Sequence, residues 1–308
     1  MASKINKLLK KHGTAANYVG SGLVKTLFQT LSGFIVLMWI SPEELGQWQS
    51  FTVFVGYITI LGLGVPHGLN RELPYLLGKN KLEFAMSLLK TAGAYVTMLS
   101  FGIILLVGSI SIILYLLKVF TMSQSLMLFA AFSIGGFSLQ TNLIGATFRS
   151  NQAFDKLAYL QYFMALCHLI LLPLVYFYGI WGYIAYQALI VIFFYWGYWL
   201  YRPYKVKYEF IKEDFKLLIK IGLQMFVWEY LALSLRTIPR LVLVLFGSPL
   251  LVGLFAPAES FNKAVLNLPK YINMFLFPRM SYSFGKFQSI DKIKAYCFKS
   301  AKLLFVLM

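Results

Sequence analysis

The sequence predicts an all-α polytopic membrane protein, and three observations predict it. Of its 308 residues, 59% are hydrophobic and 13% charged, whereas a soluble domain is about half apolar and a quarter charged. Eight stretches are long and apolar enough for a helix of about 20 residues to cross a hydrocarbon core of roughly 30 Å. The 28 Lys and Arg, which outnumber Asp and Glu to give a net charge of +17, cluster in the gaps between those stretches. A nucleic-acid partner would call for a basic stripe on a polar domain instead.

The elements follow in order. A cleavable leader would place its apolar core directly after its basic start. Here Lys4, Lys7, Lys10 and Lys11 are followed by small and polar residues, and the apolar run beyond carries Lys25. This reads as an uncleaved tail entering the first span. The spans fall near residues 16–40, 46–67, 88–116, 124–147, 157–178, 180–200, 217–246 and 250–277, and a ninth begins near Cys297. With the N-terminus in the cytoplasm, 22 basic residues lie on that side and only Lys118 on the other; the remaining five, Lys25, Arg236, Arg240, Lys263 and Lys270, fall inside spans. That bias fixes the expected orientation.

An internal repeat sets the domain plan. Ser41-Pro42, Gly46 and Trp48 recur as Ser248-Pro249, Gly253 and Phe255, an offset of 207 residues, and Arg71 with Gly78-Lys79 recurs as Arg279 with Gly285-Lys286. Span one therefore corresponds to span seven and span two to span eight. Six intervening spans is an even number, so the copies share an orientation and an axis along the membrane normal relates them. The expected plan is a six-helix bundle over 1–201, an amphipathic linker helix over 202–216 lying on the cytoplasmic leaflet, and a partial second bundle over 217–308. Two full copies imply roughly four further spans, so the second bundle is expected to be incomplete, with only spans seven, eight and the start of a ninth.

Ionisable residues inside spans cost about 2.5 to 3.5 kcal/mol each unless they meet water or partners. In the first span Asn17, Ser21, Lys25, Gln29 and Ser32 recur at helical spacing, and in the eighth so do Glu259, Lys263, Asn267, Lys270 and Asn273. The seventh carries Glu229, Arg236 and Arg240. These seven charges predict a shared cavity of net positive sign that takes an anion, and Arg suits phosphate. Alternatives stay open: Glu259 and Lys263 also fit a plain intrahelical pair, and Arg240 lies close enough to Gly247 to snorkel outward.

Other signals carry less. His67 and His168 have no neighbours at metal-ligand spacing and read as packing or hydrogen-bonding residues. Cys167 and Cys297 form no framework. Gly62-Leu63-Gly64 lacks the Lys-Ser/Thr of a phosphate loop and suits close helix packing. No nucleophile–base set or pair of carboxylates points to an enzyme, and nothing calls for a metal or cofactor.

The run Ser41-Pro42-Glu43-Glu44-Leu45-Gly46-Gln47-Trp48, followed by Leu61-Gly62-Leu63-Gly64 and Asn70-Arg71, resembles the start of the polysaccharide and O-antigen flippases. These belong to the multidrug, oligosaccharidyl-lipid and polysaccharide exporter superfamily. The resemblance is clearest over the N-terminal third. It implies two helical bundles around a cationic cavity and translocation of an undecaprenyl-pyrophosphate-linked oligosaccharide across the bacterial cytoplasmic membrane by alternating access. The implied partners are that substrate, membrane lipids and a glycan polymerase or ligase. Lys25, Arg236, Arg240, Lys263 and Lys270 match the family's cavity cations by location, not by motif. Two alternatives remain: a cation-coupled multidrug exporter using Glu229 or Glu259, and a membrane-embedded glycan-modifying enzyme.

Overall fold

The computed structural model describes residues 2–291, 294 and 298; the start of the ninth span at Cys297 lies outside them. Nine α-helices and one 3-10 segment make up the described part: α1 (Ala2–Trp39), α2 (Pro42–Val55), the 3-10 turn Gly56–Gly62, α3 (Val65–Gly78), α4 (Leu82–Leu116), α5 (Met122–Ser150), α6 (Phe154–Ile170), α7 (Leu172–Tyr201), α8 (Lys212–Phe246) and α9 (Pro249–Phe287). The all-α polytopic class is as expected. Five of these helices are long and apolar enough to span a bilayer, or six if α2 through α3 is one bent span. That count differs from the eight apolar windows. At 17 residues α6 falls short, and α9, though 39 residues long, carries the polar stripe along its length.

Local chemistry explains the ends. Ser41 accepts a hydrogen bond from the Glu44 amide (3.3 Å) and Ser248 one from the Leu251 amide (3.4 Å), each followed by Pro at the first helical position. The repeat is thus also a repeated N-cap. The boundary between the windows 157–178 and 180–200 is real: Gly179 takes φ 55° and ψ −133°. A Cβ on Gly182 would collide with the Leu174 carbonyl, whereas a straight helix would hold those residues about 12 Å apart. The chain therefore doubles back at Gly179. The second window is broken instead. Leu63 (φ 48°) and Gly64 (φ 76°) bend the chain by 56° between the 3-10 turn and α3. Gly64 serves here because its backbone lies against Gly222 of α8, leaving 2.7 Å between a hypothetical Cβ and the Gly222 carbonyl carbon.

The matched segments meet each other in space. Gly46 lies against the Pro249 carbonyl and Gly253 against the Pro42 carbonyl. At the other end Gly78 faces the Tyr282 carbonyl and Gly285 the Tyr75 carbonyl. Each contact is reciprocal at an offset of 207, which is the signature of a two-fold relation. The two crossings sit at opposite ends of the spans, so the axis through them runs along the helices.

The linker differs from the expectation. Residues 203–211 are not helical; they run extended along α4, where the Glu209 amide donates to the Lys90 carbonyl and the Ile211 amide to Thr91 Oγ1 (3.3 Å). Lys212, Glu213, Asp214 and Lys216 form the first turns of α8, and Asp214 is buried as an acceptor for Ser87. A carboxylate in the first turn favours the helix dipole, and Ser87 supplies the donor that lets Asp214 leave water.

Candidate functional site

The polar stripe of α1 is the first surprise. Four-residue spacing places Asn17, Ser21, Lys25 and Gln29 on one face, but that face looks into the N-terminal helices. Tyr162 of α6 donates to Asn17 Oδ1 (3.3 Å), fully buried Ser21 donates to Gln161 Oε1 (2.7 Å), and Ser32 donates to the His168 carbonyl (3.1 Å). Gln29 is exposed. Lys25 Nζ sits 4.4 Å above the centre of the Phe194 ring of α7, a cation–π contact. Periodicity identifies a face and does not say which neighbour covers it.

Two of the five expected cavity cations share one carboxylate. Arg240 is buried; its Nη1 lies 3.2 Å from Glu259 Oε2, and its Nη2 donates to Thr52 Oγ1 (2.8 Å) and to the Gln49 carbonyl. Lys263 Nζ lies 2.6 Å from Glu259 Oε1. Arg240 thus turns inward onto α2 and does not snorkel, and Glu259 with Lys263 is the i, i+4 pair with Arg240 added. A guanidinium from α8 bonded to α2 and α9 holds the repeat-related helices together.

Beside Thr52 a cavity of about 250 Å³ opens between α2, α5 and α7. Thr52, Thr59, Ser138, Asn142 and Gln187 give it neutral hydroxyl and amide groups, and Trp48, Val55 and Ile58 give it apolar wall.

The other three expected cations lie outside that ion pairing. Lys270 of α9 feels the charges of Glu229, Arg149 and Arg236, and Lys25 that of Lys270. Among the described residues no carboxylate lies within ion-pair distance of Lys25, Arg236 or Lys270. Glu229, the acid of this group, is engaged by His67, whose Nε2 is 2.6 Å from Oε2. Asn267 donates to Thr26 Oγ1 (3.4 Å) and ties α9 to α1. Sequence reasoning missed Gln161, a lone amide in an apolar span whose polarity signals a buried partner. His67 and His168 are each hydrogen-bonded, His168 Nδ1 to Tyr186 Oη at 2.6 Å. No group of three metal-ligating side chains occurs among the described residues.

Comparison with known proteins bears on the fold. No family model and no curated protein matches the sequence. Solved structures do. One is described as a MOP superfamily transporter from Pyrococcus furiosus whose binding pocket has reversed polarity, with TM-score 0.70 and 15% identity over 95% of this chain and 69% of that one. Another is an outward-facing multidrug resistance MATE family transporter of the same superfamily (TM-score 0.69, 16% identity, 95% and 69% covered). A third is a MATE in complex with MaD3S (TM-score 0.68, 15% identity, 95% and 70% covered). The chain shares the fold of these structures. The sequence-level resemblance to O-antigen flippases is a finer statement than this likeness carries.

Proposed function

We propose that this protein is a membrane transporter that carries an undecaprenyl-pyrophosphate-linked oligosaccharide across the bacterial cytoplasmic membrane, with the N-terminus cytoplasmic. The observation that carries this reading is a set of cations on different helices of the repeat, Lys25 on α1, Arg236 on α8 and Lys270 on α9, with no carboxylate at ion-pair distance among the described residues. Uncompensated cations at bilayer depth are costly. An anionic substrate group repays that cost when it binds, and the pyrophosphate supplies it. The neutral cavity beside Arg240 adds hydroxyl and amide groups of the kind that bind saccharide. Transport by exchange of access between the two sides fits a pair of repeated halves joined along an axis.

The test is leaflet accessibility of lipid-linked oligosaccharide in cells. Loss of the protein should trap the glycan on the cytoplasmic leaflet, and Lys25→Ala with Lys270→Ala should do the same at normal protein level. Normal translocation by that double variant would remove the site assignment.

A second reading, a cation-coupled multidrug exporter, is favoured by Glu229, an acidic side chain 72% exposed, and by the likeness to the MATE structures. Lowered drug resistance on Glu229→Gln, with glycan translocation intact, would select it. The transporter-like fold supports neither a glycan-modifying reaction nor a named polymerase or ligase partner, and both remain expectations of the resemblance.

A further inference from the structure

A second cavity lies away from the charged cluster, on the outer face of α6 and α7. It measures about 650 Å³ and is walled by Tyr159, Phe163, Phe193, Trp196, Leu200 and Tyr201. Its floor exists because Gly197 has no side chain: a Cβ there would come within 2.8 Å of Leu160 Cδ2. Most of the wall residues are exposed, Tyr159 at 71% and Trp196 at 55%. In water such a patch would be a liability, but against a bilayer it is a cleft for hydrocarbon. Lys156 completes the lining, and among the described residues no carboxylate lies within ion-pair distance of it. It stands at the end of the groove where α6 begins and α7 ends, the side that carries Arg149 and Arg202.

Length decides the occupant. From Lys156 to Phe163 the rise along α6 is about 10 Å, less than the roughly 15 Å depth of one hydrocarbon leaflet. The groove therefore takes chains from a single leaflet. A lone ammonium at the headgroup level, with aromatic walls below it, matches an anionic head on apolar chains. We infer that the α6–α7 groove is a binding site for an anionic glycerophospholipid of the leaflet on the basic side, with its phosphate on Lys156 and an acyl chain between Tyr159, Phe163 and Trp196.

The test uses the full chain reconstituted in vesicles of equal phosphatidylglycerol and phosphatidylcholine, extracted in mild detergent and weighed by native mass spectrometry. The wild type should retain phosphatidylglycerol in preference to phosphatidylcholine. Lys156→Gln should reduce that preference about five-fold, and Gly197→Leu, which fills the floor, should reduce retention of both lipids. If Gly197→Leu loses helicity, Lys156→Gln decides alone, since it removes one exposed charge. Equal retention of the two lipids by the wild type, or an unchanged preference in Lys156→Gln, overturns the inference. So does retention of a polyisoprenyl phosphate in place of phosphatidylglycerol when both are offered equally.

Discussion

Replacing Gly46 or Gly253 by Ala tests whether the two repeat copies are held by a shared, reciprocal contact. A methyl group on Gly253 would lie 2.6 Å from the Pro42 carbonyl carbon, and one on Gly46 would lie 2.6 Å from the Pro249 carbonyl carbon. Carbon atoms rest at about 3.5–4.0 Å, and the carbonyl oxygens lie closer still, so either change must push α2 and α9 apart by at least about 1 Å. Overfilling a tight contact costs about 1–3 kcal/mol, and the better helix propensity of Ala returns up to about 1 kcal/mol. The two changes are not independent, because one separation of the helices relieves both collisions. The double variant should therefore lose about as much stability as either single one. The assay is unfolding of the purified protein in mixed micelles by a denaturing detergent, followed by helical ellipticity. Gly33→Ala, which meets nothing within 4 Å, is the control and should be neutral or slightly stabilising. Additive losses in the double variant, within the roughly 0.3–0.5 kcal/mol expected of unrelated sites, would refute the reciprocal contact.

Four further outcomes are expected. Arg240→Ala leaves Glu259 half-buried with Lys263 alone and should cost about 3–5 kcal/mol in the same assay, while Arg240→Met combined with Glu259→Met should recover most of it. Lys263→Met removes the mostly exposed partner of Glu259 and should change stability by no more than about 1 kcal/mol. Gly64→Ala should yield little folded protein when expression is followed by size-exclusion chromatography, because φ 76° and the Gly222 backbone both oppose a side chain. Gly179→Ala has the same problem of φ but open space around it, and should cost only about 1–3 kcal/mol.

Much of this protein is local and was legible. Apolar length announced the helices, and the paired Ser-Pro starts announced the N-caps, because both depend on residues a few positions apart. The turn at Gly179 was readable as an interruption between two apolar runs. The break at Leu63-Gly64 was not, since both residues sit within an apolar stretch and the reason for the bend is the backbone of Gly222, about 160 residues away. The linker misled for the same reason: alternating charge suggests an amphipathic helix, but Tyr208 filling the space over Gly93 and Thr91 accepting the Ile211 amide make it extended.

By itself the sequence determined that the chain is helical and membrane-spanning, and that two segments 207 residues apart share a pattern. These follow from composition and period, which each helix expresses on its own. Only the tertiary structure decided which embedded cations are ion-paired. Arg240 and Lys263 share Glu259, whereas no carboxylate among the described residues lies within ion-pair distance of Lys25 or Lys270. That outcome depends on which helix faces cover one another, and an ion pair between α8 and α9 leaves no trace in the spacing of either.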